Sequence, residues 1–309
     1  MSRSAIKHLC ATAGFLGAYA ATGAVLLAFE TASPMEPITD DPPQFIELTG
    51  VVRDFRERTH PQGHPDFEMR PVNGFAHYAR NISPALSEDG KPVFTGGGRK
   101  VKTQWRDAQG RPICYRLYNS ALGDTPGSWG VLDNGAIQSA ESFSSWFNDD
   151  LGMNMSTSKS LTLRFQLQED GSYVFDDKLD PLYSSLGGFF PIEDEMFGNP
   201  GGTPDRNFHF SFELHTQFRY DADGAQIFQF IGDDDVWVYI NGQLVIDLGG
   251  VHAAVEQFVD VSRLGLVDGE TYSLDFFFAE RHRTQSNFRI VTNLFLETVA
   301  PPTISAVFD

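Results

Sequence analysis

The sequence predicts an all-β protein, and three observations carry that expectation. The stretch FQFIGDDDVWVYINGQLVIDLGG, residues 228–250, places apolar side chains at Phe228, Phe230, Val236, Val238 and Ile240, the period of a strand with one buried face. A second stretch, SLTLRFQLQEDGSYVFDD, alternates through Leu161, Leu163, Phe165 and Leu167, turns at Glu169-Asp170-Gly171 and resumes with Tyr173 and Phe175. Between and before them, runs such as SEDGKPVFTGGGRKV and DAQGRPICYRLY set Gly or Pro between short β-prone segments.

The chain opens on an address. Arg3 and Lys7 precede an uncharged run rich in Ala, Leu and Gly from Leu9 to Phe29, which reads as a secretory signal with a small-residue site at Ala18-Tyr19-Ala20, or as an uncleaved anchor. Residues 30–44 form an acidic linker in which Pro34, Pro37, Pro42 and Pro43 resist helix and central strand alike. Regular structure starts with FIELTGVVRDF, and a single domain is expected over residues 45–298, followed by a tail, 299–309, without a recognisable anchor. With 309 residues, 41% hydrophobic content and 27 Phe, the chain has material for a substantial core.

Several segments depart from plain alternation. In HPQGHPDFE, His60, His64, Asp66 and Glu68 are metal-ligand types, but Pro61, Gly63 and Pro65 break their spacing and favour a turn. Ile137, Phe143, Trp146 and Phe147 fit the apolar stripe of one short helix over 137–149. Cys10 lies in the leader, so Cys114 has no partner for an internal disulfide and reads as a buried thiol in ICYRLY. The run 184–207, rich in Gly and Pro, reads as a binding loop, a mobile cover or a solvated spacer that exposes Glu193, Asp194 and Glu195. In NFHFSFELHTQFRY, Phe208, Phe210, Phe212 and Leu214 face one way. His209 and His215 lie on the polar face, where surface residues are expected. Asp221-Ala222-Asp223-Gly224 lacks the later ligands of an EF-hand and is a β-turn.

Asn241-Gly242 closes a hairpin, since both residues tolerate the positive φ of a type I′ turn, and residues 243–248 return as its partner strand. Ahead of it stand three consecutive aspartates, Asp233, Asp234 and Asp235, whose mutual repulsion calls for water or a cation. The formal charge of −18 argues against a nucleic-acid partner and fits calcium or neutral polar ligands, or an acidic surface that keeps a secreted protein soluble.

The motifs HPDFE, FFPI, NFHFSFE, GDDDVWVYINGQLVIDLGGVH and LDFFFAERHRTQSNFRI, in that order, resemble the fibro-slime domain of secreted matrix proteins, from about Thr49 to Glu297. That family is similar to the protective-antigen-type β-domain, which includes the carbohydrate-binding heads of flocculins. The resemblance implies an antiparallel β-sandwich, non-enzymatic, with Ca²⁺ held at one end by two adjacent aspartates joined by a cis peptide. Counting back from Asn241 puts the pair on Asp233 and Asp234, with Asp234 and Asp235 as the alternative. Asn287 and Glu280, with the carbonyls around Thr284 to Ser286, all from the loop ERHRTQSN, are expected to add to the shell, although this loop does not match the flocculin pattern. The expected ligand-contacting residues are Asp234, His252, Arg281 and Arg283. Alternatively Arg281, Arg283 and His282 pair with the aspartates, and no metal is needed.

The sequence has no CxxC pair, HExxH, nucleophile elbow or phosphate loop. The reading is therefore a secreted calcium-binding module for extracellular polysaccharide or a surface or matrix protein. Membrane contact would run only through the N-terminal segment. A surface-assembly subunit without sugar binding is the alternative, and a glycoside hydrolase pairing Asp234 with Glu280 is the third.

Overall fold

The computed structural model describes residues 42–149 and 156–299, so the expected leader, most of the linker and nearly all of the tail lie outside the described residues. Strand β1 (Phe45–Asp54) buries Ile46, Leu48 and Val52 at alternate positions. The chain then builds a lobe of short elements: β2 (Tyr78–Ala79), β3 (Arg99–Thr103), β4 (Trp105–Arg106), β5 (Pro112–Ile113), β6 (Ser128–Leu132) and helix α1 (Ala140–Ser144). Strands β2, β3 and β6 form one small sheet, and β4 with β5 another. The main body follows: β7 (Thr157–Leu167), β8 (Tyr173–Asp176), α2 (Pro181–Leu186), β9 (Phe210–Arg219), β10 (Ile227–Gly232), β11 (Asp235–Ile240), β12 (Gln243–Leu248), β13 (Val255–Asp260), β14 (Thr271–Glu280), β15 (Phe288–Thr292) and β16 (Glu297–Thr298).

These long strands pair antiparallel in the order β12-β11-β14-β9-β1-β7-β8-β15-β10-β13, with β16 beside β9. Strand β1 sits at the fold of the sheet, bonded to β7 along its whole length and to β9 through Val51–Asp54. The two halves face each other across one core. Phe288 on β15 lies 5.5 Å from the Phe276 ring and 5.1 Å from the Phe278 ring of β14, and Phe230 on β10 lies 5.6 Å from Phe276. This is the expected all-β sandwich, with the phenylalanines as its filling.

The hairpins form where expected. Asn241 and Gly242 both have positive φ, 49° and 69°, and join β11 to β12. Gly171, at φ 82°, lies in the turn from β7 to β8. Cys114 is buried and free. The expected helix shortens to α1, capped by Ser139, yet its whole stripe of Ile137, Phe143, Trp146 and Phe147 is buried.

Three expectations change. The stretch 228–240 is two strands in opposite layers: β10 and β11 are consecutive in sequence but far apart in sheet order, and the chain crosses between layers at Asp233-Asp234. Strand β11 is buried on both faces, because the lobe packs Phe67, Phe143 and Trp146 against Trp237, Tyr239 and Phe277 to make a second core. For the same reason His209 and His215 are interior, 1% and 4% exposed. On that face Glu213 pairs with Arg53 at 2.8 Å and Lys91 at 2.5 Å, and His215 Nδ1 meets Asp275 Oδ1 at 2.8 Å. The run 184–207 is partly built in: Phe189, Phe190 and Ile192 are buried, and Glu193 is held by Arg206 at 2.8 Å.

Because Phe288 is the ring shared by both layers, Phe288→Ala is expected to cost about 3–5 kcal/mol in chemical unfolding. Phe295→Ala, at a ring 49% exposed, should stay within about 0.5 kcal/mol of the parent. Equal losses in the two variants would contradict this assignment of the core.

Candidate functional site

The crossover between layers is also the acidic corner. It is positioned by the end of β10, the start of β11, the end of β14 and the loop into β15. Gly232 is required on its approach, since a Cβ there would lie 2.3 Å from the Asn287 carbonyl oxygen. The three aspartates then go three ways. Asp233 accepts the Asn287 backbone N–H through Oδ1 at 2.5 Å and the Asn287 side-chain amide through Oδ2 at 2.7 Å. Asp234 accepts the backbone N–H of His252 at 3.1 Å and of Arg281 at 3.2 Å. Asp235 accepts the Gly250 N–H at 2.5 Å and forms a fully buried ion pair with the Arg281 guanidinium. The peptide bond joining Asp233 and Asp234 is cis, and so is that joining Arg283 and Thr284.

Glu280 completes the corner. It is fully buried, and neither carboxylate oxygen has a hydrogen-bond partner among the described residues. Ser286 donates its hydroxyl to the Phe189 carbonyl at 2.8 Å, leaving no proton for Glu280. Burial, and then the charges of Asp234 and Asp233, push the Glu280 carboxyl well above the usual carboxylate range. Burial raises Asp234 likewise, against the opposing charge of Arg281. Burial also raises Asp233, with the two Asn287 hydrogen bonds opposing it. Four carboxylates thus share a dry corner with one interior guanidinium, an imbalance that favours either protons or a cation.

Arg281 cannot reach outward. Beyond Asp235, its guanidinium donates to the carbonyls of Ala136 at 2.9 Å and Gly135 at 2.5 Å, and its own carbonyl accepts the Glu68 N–H at 2.8 Å. The residue is 0% exposed, so it clamps the lobe to the corner and presents nothing to a ligand. Arg283 is spent differently, on Glu57 at 2.9 Å. The neutralising pair of the corner is therefore Asp235 with Arg281, while Arg283 pairs with neither Asp233, Asp234 nor Asp235.

A cavity of about 290 Å³ opens directly onto Asp233 and Asp234. Its walls include His252, His282, Arg283, Thr284 and Phe75, whose ring is 50% exposed and lies 4.8 Å from that of His282. Of the residues expected from sequence, Asp233, Asp234, His252 and Arg283 line this cavity, the buried Glu280 and the half-buried Asn287 do not, and Asp235 and Arg281 are interior. Phe75 had no signal in the sequence, because the lobe and the β14–β15 loop meet there only in the fold, whereas the stretch around Thr284 was expected near the site. The residues of HPQGHPDFE scatter: the His64 ring lies 2.8 Å from Ser145 Oγ, Asp66 accepts from the Gln138 N–H and Trp146 Nε1, and Glu68 faces His209.

The corner lies within a stretch that is similar to known proteins. Residues 193–307 match the PA14 domain. The chain is 38% identical over 181 residues to protein psiC of Dictyostelium discoideum, covering 56% of this chain and 33% of that protein. It is 44% identical over 131 residues to psiI, covering 40% and 17%, and 35% identical over 253 residues to psiK, covering 75% and 31%. The chain thus spans a third or less of the length of these relatives. Among solved structures, a β-glucosidase from Kluyveromyces marxianus shows a TM-score of 0.21 at 17% identity, over 27% of this chain and 12% of that one. A GH31 α-xylosidase from Xanthomonas citri shows 0.25 at 9%, over 81% and 22%. Likeness at that level carries no argument about fold or activity. No helix among the described residues is long and apolar enough to cross a membrane.

Removing Arg281 leaves Asp235 buried and unpaired, and Arg281→Met is expected to destabilise the chain by about 3–5 kcal/mol. The double variant Asp235→Leu/Arg281→Met should recover part of that loss, because it removes both charges. Urea titration of the three proteins checks this, and a double variant no more stable than the single one would contradict it.

Proposed function

We propose that this chain is a secreted, non-enzymatic calcium-binding module of the PA14 type, in its fibro-slime branch, that holds an extracellular glycan in the cavity beside Asp233 and Asp234. The observation that carries the reading is Glu280: a buried carboxylate without a partner, set against two more carboxylates, is the donor set of a hard cation. Calcium takes six to eight oxygen ligands, and Asp233, Asp234 and Glu280 with the Asn287 side-chain oxygen supply oxygens only. When bound, calcium offsets the corner's charge and offers open coordination positions to ligand hydroxyls. Asp235 is no part of this set, since the Arg281 guanidinium already neutralises it and, unlike Asp233 and Asp234, it does not line the cavity.

The chain's own residues shape the rest of the pocket. Phe75 offers a half-exposed ring for the apolar face of a sugar, and His252, His282 and Thr284 bring polar groups around it. The PA14 match and the similarity to the psi proteins support a glycan or surface partner in general terms. Support for the non-enzymatic reading comes from Glu280. It is fully buried and lines none of the cavity, so it does not flank a bond held there opposite Asp234.

The test is retention on an array of polysaccharides with and without a calcium chelator, alongside an assay for released reducing sugar. Wild type should be retained only with Ca²⁺, Asp234→Asn should lose retention at least about tenfold, and no sugar should be released. Retention insensitive to chelator and to Asp234→Asn would overturn the site. Calcium binding without retention of any glycan would point instead to surface assembly.

A further inference from the structure

The lobe is charged against the rest of the molecule. Residues 91–132 hold seven Lys or Arg and two Asp, in a chain whose formal net charge is −18. Both acids are already spent: Asp107 pairs with Arg111 at 2.6 Å, and Asp124 pairs with Arg263 at 2.6 Å. Among the described residues, Arg80, Arg99, Lys100 and Lys102 form no ion pair. Arg80 and Lys102 are exposed, while Arg99 and Lys100 meet only carbonyls, those of Gly130 and Asn73, each at 2.9 Å. Their charge is therefore left for something outside the fold.

The same surface carries an apolar tip. Val72 is 90% exposed, Leu132 71% and Val131 52%, and none of the three belongs to either core. Val72 and Leu132 line one groove, and the Asn73 side chain joins them by donating to the Leu132 carbonyl at 3.5 Å. Cations border this tip. Arg99 stands opposite Leu132 in the β3–β6 register, Lys100 reaches Asn73, and the Arg80 guanidinium lies 5.6 Å from the ring of Trp129, three residues before Leu132. The acid in the groove, Asp133, is turned inward: it accepts the Asn73 N–H at 2.8 Å and the Gly135 N–H at 2.9 Å.

We propose that this face of the lobe docks on a lipid bilayer bearing anionic headgroups, with Val72, Val131 and Leu132 inserted and Arg80, Arg99, Lys100 and Lys102 at the level of the phosphates. Branched aliphatic side chains gain by leaving water for the acyl boundary, and they offer a sugar no flat aromatic face. Three such side chains are also too small an apolar area for a lasting protein interface, which buries about 1,200–2,000 Å². Each cation adds attraction to an anionic surface, within a screening length of about 10 Å at moderate salt. The acidic remainder of the chain is repelled by the same surface, and this turns the lobe toward it. The contact needs no calcium and is independent of the acidic corner.

The experiment places an environment-sensitive dye at Val131→Cys in the full chain, with Cys10→Ser so that the buried Cys114 is the only other thiol. Vesicles of phosphatidylcholine, with or without phosphatidylglycerol, are added in the presence of a calcium chelator. A dye at this position reports on the lobe whether or not the N-terminal segment enters the bilayer. Its emission is expected to shift to the blue on anionic vesicles at a lipid concentration at least about tenfold lower than on zwitterionic ones. The same dye at Leu179→Cys, a side chain 74% exposed outside the lobe, should stay unshifted. Val72→Ser/Leu132→Ser and Arg99→Gln/Lys102→Gln should each raise the lipid required at least about tenfold with the circular dichroism spectrum unchanged, and Asp234→Asn should leave it alone. Absence of a shift at Val131→Cys would overturn the proposal, as would an equal response to both vesicles, an equal shift at Leu179→Cys, or indifference to both double variants. A shift that follows protein concentration without vesicles would overturn it too, by assigning the tip to a second copy of this chain.

Discussion

The structure turns on the buried ion pair between Asp235 and Arg281. Neither side chain has any solvent exposure, so each would be costly alone, and their attraction is useful only because the remaining donors and acceptors are filled. They are filled by backbone from three places: Gly250 on Asp235, and Gly135 with Ala136 on Arg281. One pair therefore joins the crossover between the two sheet layers to the lobe that covers them. It also consumes the single guanidinium inside the corner, which leaves Asp233, Asp234 and Glu280 to share whatever else is positive.

That arrangement separates two tasks within one run of like residues. Asp235 is architectural, held by a permanent cation, while Asp233 and Asp234 open onto a cavity. Glu280, one residue before Arg281, points the opposite electrostatic way: each guanidinium nitrogen of Arg281 has a partner and Glu280 has no acceptor used. Strand β14 thus ends on a satisfied charge and an unsatisfied one side by side, a placement that folding energetics alone would not favour.

The sandwich was legible because alternation and turn chemistry are local. The Asn241-Gly242 hairpin and the β7–β8 turn follow from neighbouring residues alone. What alternation does not reveal is whether the polar face of a strand meets water. Along β9, Ser211, Glu213 and His215 look like a solvated face, but the lobe covers them, and each finds a partner in the lobe or on a neighbouring strand: Trp146 for Ser211, Arg53 and Lys91 for Glu213, Asp275 for His215. Nor could spacing tell a continuous strand from two strands joined by a corner, because Asp233 and Asp234 interrupt the pattern by only two residues. The acidic corner was visible as an excess of charge, and its resemblance to a known motif pointed to the same residues. The partition of the aspartates, by contrast, depends on Gly250, Arg281 and Asn287, which lie far along the chain, and only the tertiary fold brings them in.

The central claim is that the unpartnered Glu280 belongs to a cation site with Asp233 and Asp234. Calorimetric titration with Ca²⁺ of wild type and of Glu280→Gln measures it most directly. The account predicts one calcium per chain in the wild type and at least about tenfold weaker binding in the variant, about 1.4 kcal/mol. A wild type that binds no calcium, or a variant that binds it as tightly, would contradict the claim.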